Sequence, residues 1–327
     1  MPVKSSGALS FSDIRAEFGG SGAISLSQYY RGGGRVPLFE DVNASVPTSG
    51  QISFNQFYSS LNGFVFQQTI SGNIQNYHLR NAAISWGWNQ SLPLFAKVTI
   101  NGGAWVTASS TGIYAFDTGD SYPAYSRLIL VNHGYIVGMG GNGGQGAGSS
   151  WGSAIGGSGG GWGGPAFGAR VGITVWNYGI IAGGGGGGGG GQSGTYAYSD
   201  KYSTYYYAFS GGGGGGGRSG LTNAGGGSNG SAQGNYAYHG GWGGTGTLNG
   251  QGGGGAGGYL NGNLRGGPGG AGGGWGENGG PGGDRWHPQN LTSGVAGPYG
   301  AGGGGYALHW SWNISWGNWG TVIGGIG

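Results

Sequence analysis

Side chains capable of acid–base, nucleophilic or metal chemistry are few in this sequence and lie far apart. The chain has no Cys, which excludes disulfides and thiolate ligands. Asp117 and Asp120 are spaced for an acid pair, but Asp117-Thr118-Gly119 has the composition of a turn. No Ser, His and Asp occur in the context of a catalytic triad. The five His share no ligand spacing: His78, His133, His239, His287 and His309. We therefore predict no enzyme activity, no cofactor and no metal site.

Phosphate and nucleic-acid binding are also disfavoured by the sequence. Gly-x-Gly-x-x-Gly occurs many times, but never between a strand and a helix, and no Gly-Lys-Ser/Thr motif is present. Charged residues make up 6% of the chain, the net charge is +3, and the basic residues do not cluster. We therefore expect no nucleic-acid partner.

The chemistry that the sequence favours is aromatic contact with a partner. Tyr residues concentrate in segment 192–210, where a single turn cannot bury so many rings. Tyr and Trp supply large contact areas at low entropic cost, as in antibody loops. Internal packing of these rings is the alternative. Further turns with diverse side chains are 235–239, 259–265 and 284–292. The predicted binding residues are Tyr196, Tyr198, Tyr202, Tyr205, Tyr206, Tyr207, Tyr236, Tyr238, His239, Tyr259, Asp284, Arg285 and Trp286.

Glycine runs must position these turns. The chain has 94 Gly in 327 residues, and the longest runs are Gly183–Gly191 and Gly211–Gly217. A flexible linker is one interpretation, but Trp, Tyr and Ile interrupt the runs in a way that linkers do not. Collagen is excluded because there is no Gly-X-Y period and only 10 Pro. We predict packed polyglycine-II helices, with polyproline-like geometry and hydrogen bonds between neighbouring backbones.

A repeated motif gives the glycine-rich region a direction. Asn132-His133-Gly134-Tyr135-Ile136-Val137-Gly138 recurs from Asn177 and again from Asn318, each time after an alternating strand. These strands, the last predicted at 308–316, would form a cap that launches glycine runs in one direction. We expect the Trp and Tyr of 308–319 to form the core of the cap rather than a ligand site. If the chain changes direction at each turn between glycine runs, counting these changes from the cap places the four turns named above at the far end of the region.

The first 62 residues contain a short pattern in three copies. Ser-Gly-x-apolar-Ser-apolar starts at Ser6, Ser21 and Ser49, and Ser10, Ser25 and Ser53 occupy N-cap positions before short helical turns. Each copy is too short to bury a core alone, so we predict that segment 1–62 docks on something larger. A low-complexity leader is the alternative interpretation.

Residues 63–130 have the pattern of a small β domain. Strand-like runs include Phe64-Val65-Phe66 and Lys97-Val98-Thr99-Ile100, and Asn101-Gly102 is a hairpin signal. We therefore predict a sandwich-like unit with one short helix at Tyr77–Ala83. The predicted organisation is mostly β plus polyglycine-II, with segments 1–62, 63–130 and 131–327.

Two sets of residues resemble known phage proteins. Leu79-Arg80, Gly87-Trp88 and Phe116-Asp117-Thr118-Gly119 are similar to a domain that precedes the Gly-rich region of phage tail-tip proteins. Asn177–Gly191 resembles the Asn-Gly-Ile-Ala and glycine pattern of long-tail-fibre tip adhesins from T-even-like phages. The resemblance implies a polyglycine-II sandwich whose distal loops bind a bacterial receptor. Segment 1–62 departs from the T-even type, although it resembles leaders common in tailed-phage tail proteins.

The resemblance implies a receptor-binding protein at the tip of a virion tail or tail fibre. Its expected partners are a bacterial outer-membrane protein or surface glycan and, through segment 1–62, a phage tail or tail-fibre protein. The adhesin is then either a trimer or a monomer seated on a trimeric fibre. Two other classes remain: an ice-binding protein, which needs a flat Thr/Ala face, and an inert Gly-rich structural protein, which needs uniform repeats. Neither a secretory signal peptide nor a membrane span is expected.

Overall fold

The computed structural model describes residues 2–40, 42–261, 264–286 and 295–327. His287 and most of the predicted turn 284–292 lie outside the described residues. The chain divides into two compact units, the first comprising 1–68, 80–98 and 120–129, and the second comprising the remaining ranges. No helix of the described residues is long and apolar enough to cross a bilayer.

Strands dominate the described chain. Two α-helices are present, α1 (Phe11–Phe18) and α2 (Leu79–Ser85), with 3₁₀ turns at Leu26–Tyr29, Phe54–Phe57 and Ser311–Asn313. The strands are β1 (Phe64–Ile70), β2 (Ile74–Gln75), β3 (Tyr77–His78), β4 (Leu94–Ile100), β5 (Trp105–Thr107), β6 (Phe116–Asp117), β7 (Arg127–Asn132), β8 (Tyr135–Val137), β9 (Gly148–Ser150), β10 (Ser153–Ile155), β11 (Phe167–Gly168), β12 (Ile173–Asn177), β13 (Ile180–Ala182), β14 (Gly194–Ser199), β15 (Thr204–Phe209), β16 (Ala232–Gln233), β17 (Tyr236–Tyr238), β18 (Tyr259–Asn261), β19 (Leu264–Arg265), β20 (Tyr306–His309), β21 (Ile314–Asn318), β22 (Thr321–Ile323) and β23 (Gly325–Ile326).

The three N-terminal repeats pack together in the first unit. Ser10, Ser25 and Ser53 are N-caps, as the sequence predicts, and Asp13 completes a capping box with Ser10. The ninth residue of each repeat is fully or almost fully buried in one shared cluster, which consists of Val3, Ile14, Phe18, Tyr29, Val36, Val46 and Phe57. Although each repeat is too short to bury a core alone, the three repeats together have one.

Hydrogen bonds link the three repeats in a closed ring. The tenth residue of each repeat donates to a glycine carbonyl in or next to the following repeat: Arg15 to Gly20, Tyr30 to Gly50, and Tyr58 to Gly7. The three repeats therefore form one connected unit.

Parallel strands form most of the sheet structure of the second unit. One sheet has the order β2-β5-β8-β13-β22 and another has the order β3-β6-β11-β20-β23. The C-terminal ends of β1, β4 and β7 join β12 and β21 in a third sheet. Each sheet buries a row of apolar residues in register, such as Val106, Ile136 and Ile181.

The predicted hairpin at Asn101-Gly102 is wrong. The strands on either side, β4 and β5, belong to different sheets, so the chain turns a corner between them. β5 pairs with β8 in parallel, with Val106 opposite Ile136. Strands from the predicted small β domain thus pair with strands that launch the glycine segments.

The Asn of the repeated motif forms a buried ladder at this corner. Asn132 and Asn177 are fully buried, and Nδ2 of Asn132 donates to Oδ1 of Asn177 over 2.8 Å. Nδ2 of Asn177 donates in turn to the carbonyl of Trp319 at 2.8 Å. Each Asn also accepts from the amide of the glycine two residues later, which explains the Asn-x-Gly spacing.

The glycine run 183–191 lies among other glycine segments and is bonded to them with a period of three residues. The Gly183 amide donates to the Ile323 carbonyl on β22, and the other amides donate to three glycine segments: Gly184, Gly187 and Gly190 to 158–164; Gly185, Gly188 and Gly191 to 212–218; Gly186 and Gly189 to 277–280. Its carbonyls accept from three more segments: 141–147, 270–276 and 299–305. The backbone polar groups of a run without side chains are thus satisfied by six neighbours.

The final predicted strand, 308–316, is interrupted. Trp310 adopts a left-handed conformation with φ 57°, and a 3₁₀ turn follows before β21 begins. Trp312 and Trp319 are 73% and 45% exposed, so the prediction that these rings form the core of the cap is wrong. Trp275 packs against Val137 and Ala182, which lie on β8 and β13, within the repeated motif.

Candidate functional site

The longest insertion between glycine segments forms a β-hairpin. β14 and β15 pair antiparallel from Gly194↔Phe209 to Ser199↔Thr204. Oδ1 of Asp200 accepts from the amides of Tyr202 and Ser203, which closes the turn. β17 then adds to β15 in parallel and completes a three-stranded sheet.

Strand alternation places most of the predicted Tyr on one face of this sheet. Cross-strand pairs join Tyr198 to Tyr205, Tyr196 to Tyr207, and Tyr207 to Tyr236. Because residues two apart share a face, these five rings, Tyr238 and Phe209 lie on the same side. We call this set, Tyr196, Tyr198, Tyr205, Tyr207, Phe209, Tyr236 and Tyr238, the tyrosine ladder.

The rings of the ladder stack on one another. Tyr207 and Tyr236 stack with centroids 4.7 Å apart, and Phe209 and Tyr238 with centroids 5.3 Å apart. Phe209 is buried and forms the base, whereas Tyr198 and Tyr236 are 51% and 46% exposed. Desolvation raises the pKa of Tyr207. The ladder offers ring surface and hydroxyl groups, which suit binding.

Polar side chains fix the base of the sheet. The Ser149 hydroxyl donates to the carbonyls of Gly194 and Phe209, at 3.3 and 3.4 Å. Oδ1 of Asn235 accepts from the Tyr206 amide at 2.9 Å, just before β17. These contacts hold the C-terminal end and the middle of β15.

The other predicted binding residues lie outside the ladder. Tyr206 is on the opposite face, Tyr202 is at the hairpin turn with 80% exposure, and His239 is exposed just after β17.

Tyr259, Asp284, Arg285 and Trp286 form a second group. Tyr259 is on β18 and is 59% exposed, and Trp286 forms a backbone bridge with Arg265 on β19. The Arg285 amide donates to Oε1 of Gln192, the residue that leads into β14. Desolvation lowers the pKa of the Arg285 guanidinium.

Two aromatic residues in or near the ladder were not predicted from the sequence as binding residues. Phe209 belongs to the ladder, and its signal was the two-residue spacing from Tyr205 and Tyr207. Trp151 lies in the turn between β9 and β10, with its ring 6.1 Å from that of Tyr206. Its position at a far-end reversal was visible in the sequence, but a lone Trp gave no further signal.

The polar residues considered for chemistry have structural contacts. Oδ1 of Asp117 accepts from the Gly119 amide, which confirms the turn, and the carboxylate binds Arg170 at 2.9 Å. The His133 ring stacks on Tyr178. Nδ1 of His309 hydrogen-bonds to the Tyr114 hydroxyl at 2.7 Å. Within the described ranges, no three His, Cys, Asp or Glu side chains are grouped to hold a metal ion.

Comparison with known proteins identifies the family. The model of the phage tail fibre adhesin Gp38 family matches residues 65–327, and the chain belongs to this family. Its place is therefore on the tail fibre of a virion. A search of curated proteins gave no match. A similar solved structure is the gp37-gp38 adhesin tip complex of the bacteriophage S16 long tail fiber, with a TM-score of 0.46, 22% identity, and 98% of each chain covered.

Proposed function

We propose that this phage tail fibre adhesin recognises a bacterial surface receptor through the strands and turns at the far end of its glycine segments. The observation that carries the proposal is the tyrosine ladder, with seven aromatic rings on one face of a three-stranded sheet. Interfaces draw most of their binding energy from a few Tyr, Trp and Arg anchors. The proposed binding region also includes the other predicted residues: Tyr202, Tyr206, His239, Tyr259, Asp284, Arg285 and Trp286.

The glycine segments act as a rigid polyglycine-II sandwich that holds this surface. The three-residue hydrogen-bond period of 183–191 supports this geometry, because a helix with three residues per turn presents successive amides in three directions. Glycine segments present only backbone, so they supply no specificity themselves. A rigid support reduces the entropy that the loops would lose on binding.

The receptor is an outer-membrane protein or a surface glycan. The ladder carries no formal charge and exposes both ring faces and hydroxyls, which suits a neutral, partly apolar partner.

Segment 1–62 attaches one adhesin chain to the three-fold end of a tail-fibre protein at the fibre tip. Each repeat has apolar residues at the same two positions: Leu9 and Phe11, Ile24 and Leu26, Ile52 and Phe54. All except Phe54, which is exposed, are partly buried against the shared core. The closed ring of hydrogen bonds connects the repeats one to the next. One chain with three equivalent apolar edges matches a partner in which three identical chains meet.

Replacing the two most exposed ladder rings tests receptor recognition. Tyr198→Ser/Tyr236→Ser should lower the adsorption rate to host cells by at least ~10-fold, because anchor rings dominate interface energy. The matched control is Trp162→Ser/Trp242→Ser, which removes rings that are 72% and 70% exposed on the glycine segments. Normal adsorption of the Tyr variant, or an equal loss in the control, would contradict the proposal.

A further inference from the structure

We propose that Trp151 is a receptor-contact residue, so that the receptor engages both faces of the β14-β15-β17 sheet. The inference rests on the proposed function and extends it to a residue outside the ladder. Tyr206 faces away from the ladder, since it is opposite Ala197 in the hairpin register. The Trp151 ring meets that of Tyr206 edge-on at 75°, and the two form an aromatic pair on the second face.

The exposure of the Trp151 ring distinguishes it from a ring that serves only internal packing. Its side chain is 56% exposed, although Trp is a residue that folding usually buries. Neighbouring groups are polar and neutral: the Ser150 hydroxyl donates to Oε1 of Gln233 at 2.9 Å. Ring surface beside an amide and a hydroxyl is the composition of an interface anchor with a polar rim.

The backbone at Trp151 is also unfavourable for this residue. Trp151 and Gly152 are the two residues between β9 and β10, and both have positive φ, 44° and 88°. A two-residue hairpin with positive φ at both positions favours Asn-Gly, and a bulky residue there is an outlier. The turn therefore places Trp151 in a backbone conformation that Asn would adopt more easily. Strain of this kind is concentrated at binding and catalytic sites.

Aromatic groups on both faces define the shape of the partner surface. A flat partner could contact the ladder or the Trp151–Tyr206 pair, but not both. The receptor surface that fits is a concave protein surface, which receives the projecting β14-β15 hairpin together with the β9-β10 turn. Contacts on opposite faces share no side chain, so their contributions should be independent.

The test is Trp151→Asn, which removes the ring and suits the turn. We expect an unchanged or higher melting temperature together with adsorption lowered by at least ~10-fold. Combined with Tyr198→Ser/Tyr236→Ser, the two losses should multiply. Trp162→Asn is the control for removal of an exposed Trp, and it should adsorb normally.

Two results would overturn the inference and leave the proposed function intact. A lower melting temperature in Trp151→Asn would assign the ring a packing role. Normal adsorption of Trp151→Asn, alongside loss in the ladder variant, would restrict the receptor to the ladder face. If the ladder variant also adsorbs normally, the proposed function itself fails.

Discussion

At the residue scale, glycines inside the longest run lie too close to neighbouring backbone to leave room for a side chain. A Cβ placed on Gly187 would lie within 3.0 Å of the Asn142 carbonyl group, closer than real Cβ contacts. Gly253 lies in another glycine segment, but a Cβ there meets nothing within 4 Å. The two positions have the same residue type and differ in the space around them.

Gly187→Leu should therefore destabilise the protein by at least about 1–3 kcal/mol, because a side chain must push two hydrogen-bonded segments apart. Gly253→Leu, the control, should change stability little. Chemical denaturation of both variants measures the difference. Equal stability of the two variants would contradict close packing around 183–191.

The Asp13 carboxylate provides a pH-dependent contact in the first repeat. It accepts from Lys4 at 2.9 Å and from the Ser10 amide and hydroxyl at 2.7 Å. The Lys4 and Ser10 hydrogen bonds lower the pKa of Asp13 from 3.8 to about 2. A lowered folded-state pKa stabilises the protein above the unfolded value, and this contribution is lost as the pH falls from 3.8 to about 2.

Asp13→Asn should thus lower the melting temperature of the first unit slightly at about pH 6 and not at about pH 2. The effect is small because the carboxylate is exposed to solvent. Thermal denaturation at both pH values is the measurement. The same difference between variant and wild type at both values would show that the carboxylate charge does not matter.

At the scale of elements, the buried side chains of Asn132 and Asn177 connect the corners where the chain passes from one parallel sheet to the next. Asn177 is fully buried, and its side chain both accepts from Asn132 and donates to the Trp319 carbonyl. Removing it breaks a hydrogen bond between two fully buried side chains, which costs more than the loss of a hydrogen bond exposed to water.

Asn177→Ala should destabilise the protein by about 1–3 kcal/mol for each buried group left unpaired. Asn142→Ala is the matched control, because exposed Asn142 also accepts from a glycine amide, that of Gly225, at 2.8 Å. Equilibrium unfolding compares them. If Asn142→Ala lost as much stability as Asn177→Ala, burial of the Asn132–Asn177 hydrogen bond would have no special role in stability.

At the scale of the whole molecule, attachment and recognition should be separable. Phe54 is 42% exposed in the third repeat, whereas Trp86 is 66% exposed in the same unit but outside the repeats. If the three apolar edges seat the adhesin, loss of one edge weakens attachment without touching the receptor surface.

Phe54→Ser should reduce the amount of adhesin in purified virions, while the isolated protein still binds host cells. Trp86→Ser should be incorporated normally. Quantitative mass spectrometry of virions measures both, and it should also find one adhesin per three fibre chains. Three adhesins per three fibre chains would rule out a monomer on a trimer.

The sequence by itself determined the local features and the order of segments. Ser10, Ser25 and Ser53 cap helical turns because capping depends on residues three apart in the chain. The direction of each glycine segment follows from counting reversals, and it agrees with the hydrogen bonds: 141–147 and 277–283 run parallel to 183–191, and 158–164 and 212–218 run antiparallel. The family was also recognisable from Asn177–Gly191.

Only the tertiary structure decided which segments are neighbours. Glycine has no side chain that could select a packing partner, so the sequence of 183–191 does not determine which segments surround it. Likewise, β5 pairs with β8 and not with β4, because parallel pairing is set by contacts distant in sequence. The hairpin register then assigned Tyr206 to one face and Tyr205 and Tyr207 to the other, and a shift of one residue would have reversed them.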